Sequence, residues 1–363
     1  MRQLSPTRTW RWQAKPVAPR PGFEGLYWSD FNSGREAIYA LLTQGEIPKG
    51  KLALLPAWVP EGIYQPFHLA GCTIHFYELN CFGQIDQARL QAQLAQLPVE
   101  LSYFVQIHYF GLKRPATWLR ELLPQAVCWI EDWAHSWPEA NREYHAGHWH
   151  IFSPTKLVGV PEGGWLLGAQ AVVVAPRSVM WRWFYLWWRL CYLGIASLTF
   201  RRAACARLGA PFVNFAYTRS YRTLLKLTQQ PQPLSRLGQY LLEHYPMDLL
   251  LRRQRQAQRY HEELNNTYLK KGYVDWPDCI PVLLAYPLLV ENRSHFLDYL
   301  AAHQIGPQLF TDRWWFVAQE QNALYPGARQ LLDQHVLLPL NQDFRKEELD
   351  YIIRVVNAYR PPS

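Results

Sequence analysis

The sequence predicts an α/β fold, with a mainly parallel sheet that carries helices on both faces and a smaller C-terminal α+β domain. Three observations lead to this prediction. Between residue 32 and about residue 168, short apolar runs alternate with segments of helical periodicity, as in sheets built through right-handed crossovers. From residue 273 onward, apolar runs and helices alternate again. The 363 residues are 49% hydrophobic and 18% charged, which supplies a large core and excludes a disordered chain.

The elements of the first half follow from this alternation. The segment SGREAIYALLTQG predicts a helix that has Ser33 as its N-cap and ends at Gly45. The next elements are the strand KLALLPAW, the helix GIYQPFHLAG, the strand CTIHFYEL, the helix DQARLQAQLAQL, the strand LSYFVQIHYFG, the helix RPATWLRELLPQ and the strand VCWIED. After Gly168, the apolar run AQAVVVAP predicts one further strand.

The second half begins with an aromatic segment and a helical region rich in Arg and Gln, which extends to about Lys271. The later elements are the strands IPVLLAYPLLV and HVLLPL and the helices SHFLDYLAAHQ, ARQLLDQ and KEELDYIIRVVNAY. We therefore predict three parts: an N-terminal arm (1–30), a large α/β domain (31–230) and a small α+β domain (231–363).

The N-terminal segment and the cysteine content indicate a cytoplasmic protein. The N-terminus is basic but has no apolar segment of the kind found in secretory signals. The six cysteines form no CxxC pair, which favours small buried residues over a metal–thiolate site. The formal net charge of +8 is compatible with a nucleic-acid partner, a membrane surface or neither.

The most unusual segment is residues 178–215. Its core, MWRWFYLWWRLCYLGIASLTF, contains Arg182 and Arg189, and a spanning helix tolerates few such charges. Its Trp and Tyr residues are typical of membrane interfaces, but also of helices in protein cores and subunit contacts. Packing on the core or on a second subunit is the favoured interpretation. A peripheral contact with the inner membrane face is the alternative.

Candidate site residues follow the predicted strands, because ligands of open α/β sheets bind at the carboxyl ends of the strands. They are Trp58, Glu131, Asp132, His135 and Lys156. Gly34 and Arg35 stand at a helix N-terminus, where backbone N–H groups favour phosphate. An amine, a carboxylate, an anion cradle and an aromatic ring are what pyridoxal 5′-phosphate (PLP) needs from a protein.

The motifs resemble those of the DegT/StrS-type aminotransferases, PLP enzymes of the aspartate aminotransferase fold (fold type I, with a seven-stranded sheet). These enzymes act mostly on nucleotide-linked keto sugars. The combination of IEDWAH with PTK, whose lysine stands 21 residues after His135, is the most specific part of the match. The matching segments are SGREAI, LLPAWVP, HYFG, IEDWAHS, FSPTKLVGVPEGG and LPLNQDFRKEELDYII.

The resemblance implies a role for each catalytic residue. Lys156 would bind the cofactor covalently and then move protons between substrate and cofactor. Asp132 would pair with the pyridine nitrogen, and His135 would hydrogen-bond the phenolic oxygen. Trp58 would stack on the ring, although core packing is the other interpretation of this residue.

The resemblance also implies a phosphate site, in which this chain departs from the family. Gly34 and Arg35 would face the phosphate, and Arg35 stands where the family has Thr or Ser. The family's phosphate-binding Ser corresponds to Ile151, with Ser153 nearer the lysine. The Asn that the family sends into the partner's site has one weak counterpart, Asn214.

The function implied is transfer of an amino group, from glutamate or another amino acid, to a keto sugar that is expected to be nucleotide-linked. The enzyme is expected to be a homodimer. A sugar dehydratase is disfavoured, because that branch of the family replaces the lysine with His and this chain has Lys156. A divergent, catalytically inactive relative with a binding or membrane-surface role is the alternative.

Two further clusters are expected to lack function of their own. His145, His148 and His150 show no obvious carboxylate or thiolate partner in the sequence, so no metal site is predicted. The segment LLLRRQRQAQRYHEEL is interpreted as a solvated or subunit-facing helix, and no nucleic-acid partner is predicted.

Overall fold

A seven-stranded sheet carries the first half of the chain. The computed structural model describes residues 11–17, 20–45, 48–114, 117–176, 180–201, 203–272, 280–310 and 312–362. The strands of the sheet are β1 (Tyr27–Phe31), β2 (Leu52–Pro56), β3 (Thr73–Tyr77), β4 (Leu101–Ile107), β5 (Cys128–Asp132), β6 (His148–Phe152) and β7 (Gly164–Gly168). Their order across the sheet is β1-β7-β6-β5-β4-β2-β3.

The sheet is mainly parallel, as predicted. Strands β3, β2, β4, β5 and β6 pair in parallel, while β7 runs antiparallel to both β6 and β1. Every residue of β2, LALLP, is buried. A parallel strand covered on both faces needs such a continuous apolar run, because neither face meets water.

Helices connect the parallel strands. They are α1 (Gly34–Leu42), α2 (Glu61–Leu69), α3 (Gln87–Leu94) and α4 (Leu119–Leu122). Ser33 is the N-cap of α1, as predicted, and its hydroxyl accepts a hydrogen bond from the backbone N–H of Glu36 at 3.3 Å. The fourth helix is a single turn, shorter than the segment RPATWLRELLPQ predicted, and residues 115 and 116 lie outside the described part of the chain.

The strand predicted at AQAVVVAP is wrong. Residues 169–176 are irregular, and Val173 is 86% exposed. The preceding segment GWLLG forms β7 instead, and both of its edges are paired, to β1 and to β6. No free edge therefore remains on β7 for the apolar run that follows, and that run lies outside the sheet.

A long helical hairpin follows the sheet. It consists of α5 (Met180–Arg201) and α6 (Ala203–Leu227), and we call residues 180–227 the α5–α6 hairpin. The helices α7 (Arg236–Glu243) and α8 (Asp248–Glu263) come next. Within the described residues, no helix combines the length and the apolar character needed to cross a bilayer.

The C-terminal part contains a second, antiparallel sheet. Its strands are β8 (Lys270–Lys271), β9 (Ala285–Leu289) and β10 (His335–Pro339), in the order β10-β9-β8. The helices here are α9 (Arg293–Ala302), α10 (Pro326–Gln334) and α11 (Lys346–Ala358). The predicted α+β character is confirmed, and buried residues of both sheets join one hydrophobic core. The division of the chain at residue 230 stays a prediction.

Candidate active site

A cavity of about 390 Å³ lies at the carboxyl ends of β5 and β6. The N-terminal turns of α1 and α2 and the residues that follow β5 and β6 form one side of it. The other lining residues come from the α5–α6 hairpin, from residues 308–310, 313 and 314, and from Leu284. Its position is the one where open α/β sheets bind ligands, and its size suits a small-molecule site.

A carboxyl and an amine line this cavity together. Asp132 is the last residue of β5 and is buried, with its Oδ1 accepting a hydrogen bond from the backbone N–H of Ala134 at 2.9 Å. Burial raises the pKa of Asp132, and the positive charge of Lys156 acts in the opposite direction. Lys156 ends the 3-10 helix Pro154–Lys156 that follows β6 and is half-buried. A cationic group that entered between them would stabilise the charged form of Asp132.

His135 lines the cavity three residues after Asp132. It is buried, and its Nδ1 accepts a hydrogen bond from the backbone N–H of Phe110 at 3.3 Å. Since Nδ1 is an acceptor, the neutral ring carries its proton on Nε2. Its ring stacks on Phe310 and Trp314, at centroid distances of 5.1 and 5.8 Å.

The glycine of the HYFG motif positions this histidine. Gly111 has φ +97°, and a Cβ built on it would come within 2.3 Å of the backbone oxygen of His135. Only glycine allows both the backbone conformation and this close approach. The motif therefore serves the packing of the His135 loop.

The N-terminus of α1 also lines the cavity. Ser33, Gly34 and Arg35 line the cavity, and a Cβ on Gly164 of β7 would overlap the backbone of Ser33 at 2.0 Å. This close contact holds the helix start against the sheet. The free N–H groups and positive dipole of such a helix end favour an anion. The side chain of Ile151 lies close to this helix start, because a Cβ built on Gly34 would come within 3.5 Å of it.

Arg35 is buried and held by side chains of α2 and α6. Its guanidinium donates hydrogen bonds to Gln65 and to the hydroxyl of Tyr221, the latter at 3.1 Å. It also lies 5.4 Å from the centre of the Tyr221 ring, and Tyr221 in turn donates a hydrogen bond to Glu61. The cation is thus fixed at the cavity wall by contacts that order it without neutralising it directly.

A buried carboxyl lies behind this helix end. Glu36 is fully buried, and its carboxyl accepts hydrogen bonds from Asn32 at 2.5 Å, from Ser33 at 3.0 Å and from the backbone N–H of Gln232 at 2.9 Å. Burial raises the pKa of Glu36 to about 7. A second buried carboxyl, Glu162, has its pKa raised by burial to about 7 as well.

The structure does not bring all predicted residues to the cavity. Trp58 is fully buried outside its lining and stacks on Tyr109 at a centroid distance of 5.0 Å, so it packs in the core. Ser153 does line the cavity, with its hydroxyl 3.3 Å from that of Thr155. Asn214 is exposed on α6 and does not line the cavity of its own chain. A contact of Asn214 with a second subunit stays a prediction.

Several lining residues were missed by the sequence analysis. They are Glu61, Tyr185, Arg189, Tyr217, Tyr221, Phe310, Arg313 and Trp314. Most come from the α5–α6 hairpin or from residues 310, 313 and 314, far along the chain from the motifs. The one available signal was the density of Arg and aromatic residues in residues 178–215, which matched no family motif.

The histidines near β6 form a separate cluster around Glu131. Its carboxylate is 2.8 Å from His108 Nε2 and 2.6 Å from His148 Nδ1. Burial alone would raise the pKa of Glu131, but these hydrogen bonds hold it well below the usual value. Neighbouring strand residues point to opposite faces, which separates Glu131 from Asp132. A carboxylate partner thus exists for this cluster, although the described residues contain no grouping suited to a metal ion.

Solved sugar aminotransferases share this fold. The chain is 15% identical to the sugar aminotransferase CalS13 from Micromonospora echinospora, over 91% of this chain and 87% of that one, with a TM-score of 0.61. It is 14% identical to Spr1654 from Streptococcus pneumoniae in its PMP form, over 91% and 85% of the chains, with a TM-score of 0.61, and that protein is also solved in a PLP form.

A third similar structure carries the family name that the motifs suggested. It is a DegT/DnrJ/EryC1/StrS aminotransferase from Brucella abortus, 16% identical over 91% and 85% of the chains, with a TM-score of 0.58. No protein-family model and no curated protein matches the chain. The chain therefore has the fold of these aminotransferases, and the fold predicted from its motifs is confirmed.

Proposed function

We propose that this chain is a PLP-dependent aminotransferase that transfers an amino group from an amino acid, glutamate being the expected donor, to a nucleotide-linked keto sugar. One observation carries the proposal. Lys156, Asp132, His135 and the N-terminus of α1 come from separate segments and meet in one cavity at the carboxyl ends of the strands. A cytoplasmic homodimer that serves glycan or other sugar biosynthesis belongs to the same proposal.

The groups in the cavity fit PLP chemically. PLP supplies, when bound, a ring that accepts electrons from the substrate carbon. Asp132 is suited to hold the ring nitrogen protonated. Burial raises the pKa of its carboxyl, and a protonated ring nitrogen beside it would stabilise the charged form of the carboxyl. His135 is suited to donate from Nε2 to the phenolic oxygen, since its Nδ1 already accepts from Phe110.

Lys156 is suited to two tasks. Lys156 lines the cavity, so its amine can bind the cofactor covalently, and the amine, once released, can carry a proton to and from the substrate carbon. The short helix Pro154–Lys156 sets its position, and the hydrogen bond from its backbone N–H to the oxygen of Ser153, at 2.9 Å, fixes that turn. The lysine therefore projects from ordered backbone.

The N-terminus of α1 is suited to bind the phosphate of the cofactor, although the hydroxyl of the family's phosphate-binding Ser is missing. Gly34 and Arg35, at the start of α1, line the cavity, while Ile151 contributes an apolar side chain where the resembling family has Ser. Ser153 and Thr155 also line the cavity and offer hydroxyls nearby. We assign the phosphate to the helix N-terminus, with Arg35 as the nearby cation.

The remaining lining favours an anionic, partly aromatic acceptor. The described lining has four cations, Arg35, Lys156, Arg189 and Arg313, and two carboxyls, Glu61 and Asp132. Aromatic side chains of the hairpin, together with Phe310 and Trp314, line the same cavity. A sugar nucleotide has both a diphosphate for the cations and a base for the rings, which supports this acceptor class.

The cofactor is tested first by spectroscopy on the full chain. Protein purified with PLP is expected to show the visible absorbance band of a lysine-bound cofactor, and borohydride reduction followed by mass spectrometry should locate the label on Lys156. Lys156→Ala should abolish both signals, whereas the exposed control Lys270→Ala should keep them. Addition of glutamate should shift the band to that of the amine form. A wild-type protein that binds no PLP would refute the proposal.

A divergent relative without activity is the second candidate, favoured by Ile151 in the phosphate site. That candidate predicts no shift of the band with any amino acid, or no band at all. A glutamate-dependent shift would exclude it. Assays with nucleotide-linked keto sugars then decide the acceptor, with release of 2-oxoglutarate as the readout for the donor.

A further inference from the structure

The α5–α6 hairpin carries the whole positive excess of the protein. Residues 180–227 contain eight Arg and Lys residues and no Asp or Glu. The full chain has 37 Lys and Arg against 29 Asp and Glu, so removing these eight leaves 29 of each sign. The rest of the chain is formally neutral. A charge confined to one helical hairpin indicates a local partner for it.

The outer side of α5 exposes an apolar stripe at helical spacing. Met180, Trp183 and Trp187 are 61%, 70% and 62% exposed, and Phe184 beside them is also exposed. Leu198 continues the exposed side near the other end of the helix. Side chains three, four and seven residues apart share a helix face, so these residues form one surface. Large exposed apolar patches of this kind mark contact surfaces.

Helix α6 adds aromatic rings followed by cations. Phe212 and Phe215 are exposed, and Arg219, Arg222 and Lys226 follow on the same face and are exposed as well. Phe215 touches Trp188 of α5 edge to face, at a centroid distance of 5.4 Å. The apolar surfaces of the two helices are therefore continuous.

The inner side of the hairpin contacts the rest of the protein. Tyr185 and Arg189 are buried, and both donate hydrogen bonds to the backbone oxygen of Pro161 at 3.1 Å. Arg182 donates to the backbone oxygen of Pro233 at 2.6 Å. These bonds fix the hairpin on the protein with its aromatic and cationic outer side facing solvent. The exposed stripe is thus not a displaced core face.

We propose that the outer side of the α5–α6 hairpin docks on an anionic lipid bilayer, lying in the plane of the interface. Trp, Phe and Met beside Arg and Lys are the composition of interfacial helices, in which rings enter the headgroup region and long cations reach the phosphates. The absence of acidic residues between residues 180 and 227 makes the charge complementary to such a surface. The inference stands apart from the proposed transamination.

A second copy of the chain fits this surface less well. A two-fold contact through the outer side would bring the same exposed cations of both subunits together, and no acidic residue of the hairpin would separate them. Single-stranded nucleic acid would use the cations and rings, but not the aliphatic residues Met180 and Leu198 of the stripe. Both occupants are outcomes of the test.

The test is co-sedimentation of the full chain with vesicles. We expect binding to vesicles of equal parts phosphatidylcholine and phosphatidylglycerol, weakened by salt, and little binding to phosphatidylcholine alone. Arg219→Gln with Arg222→Gln should lower partitioning roughly thirtyfold, since each basic residue near an anionic surface contributes about fivefold. The matched control on α8, Arg252→Gln with Arg255→Gln, removes the same charge from another exposed helix and should leave binding unchanged.

Separate variants test the exposed aromatic residues of the hairpin. Trp183→Ser with Trp187→Ser should lower partitioning by about tenfold or more, because the rings lose their place in the interface. The control Leu251→Ser with Leu324→Ser removes exposed apolar side chains elsewhere. Trp183→Phe with Trp187→Phe should keep binding while reducing the quenching of tryptophan fluorescence by brominated lipid.

Three results would overturn the proposal. The first is equal binding, or none, to anionic and neutral vesicles at low salt. The second is a dimer that the hairpin variants dissociate, measured by analytical ultracentrifugation. The third is binding of a single-stranded oligonucleotide that outcompetes anionic vesicles. Circular dichroism and the cofactor band of each variant establish that the fold is intact, so a failed cofactor assay and a failed vesicle assay are read separately.

Discussion

The buried carboxyl of Glu36 gives the protein a stability that falls as pH rises. Burial raises the folded-state pKa of Glu36 from 4.5 to about 7. A carboxyl whose pKa is raised on folding binds its proton more tightly in the folded state. Its contribution to stability is therefore complete below pH ~4.5 and is lost as pH rises towards ~7. Glu36→Gln removes this titration.

The size of the effect follows from the shift. A shift of the pKa from 4.5 to about 7 corresponds to about 3 kcal/mol in total. Between pH ~5.5 and ~8.5, about 2 kcal/mol of this is lost. The amide of Gln also turns an NH₂ toward one of the donors Asn32, Ser33 or the Gln232 backbone, which costs about 1–3 kcal/mol at every pH. Only the change with pH therefore reports ionisation.

Urea denaturation followed by tryptophan fluorescence measures the change. The free energy of unfolding of wild type should fall more steeply between these two pH values than that of Glu36→Gln, by about 2 kcal/mol. Glu347→Gln is the matched control, because Glu347 also lies in the first turn of a helix, α11, but is exposed. It should follow the wild-type curve. Parallel curves for wild type and Glu36→Gln would refute the assignment of this titration to Glu36.

Three further substitutions test the site and the separate Glu131 cluster. Asp132→Asn keeps the acceptor for the Ala134 N–H but loses the charge, so we expect cofactor still bound and a single-turnover rate with glutamate reduced about 100-fold or more; a wild-type rate would contradict its role. Gly111→Ala should cost about 2 kcal/mol or more of unfolding free energy in urea, because of φ +97° and the 2.3 Å contact with the His135 oxygen, whereas Gly147→Ala, with no atom within 4 Å, should be near neutral. Glu131→Gln should cost about 1–3 kcal/mol in the same assay, since one amide cannot accept from both His108 and His148.

The part of the site nearest the strand ends could be predicted because its signals are local. Asp132 ends β5, and His135 and Lys156 follow β5 and β6 within a few residues. The carboxyl end of a strand in a parallel sheet faces the ligand side whatever the rest of the chain does. The start of α1 was also predictable, since Ser33 caps its own helix. Each of these features depends on residues that are close in sequence. The alternation of apolar runs is therefore enough to predict them.

The residues that could not be predicted depend on distant packing. Phe310 and Trp314 contact His135 from 175 or more residues further along the chain. No local sequence pattern predicts such a contact. Trp58 stands at a strand end, where it was expected to face the cofactor, yet its ring is enclosed by Tyr109 and Trp314. The direction of a side chain at the end of a strand is decided by the surfaces that close over it, and those surfaces come from elsewhere in the chain.

Helix α5, in the segment for which the sequence left a core helix or a membrane-interface helix open, packs on the protein with one side and is exposed on the other. The membrane-interface interpretation stays a prediction. Tyr185, Arg189 and Leu193 are buried at intervals of four residues, while Trp183 and Trp187 are exposed between them. A helix with apolar residues on both sides shows little contrast between its faces in sequence, so neither interpretation could be excluded from the residues alone. Since the inner side reaches the cavity through Tyr185 and Arg189, bilayer contact on the outer side would bring the proposed active site close to the lipid surface.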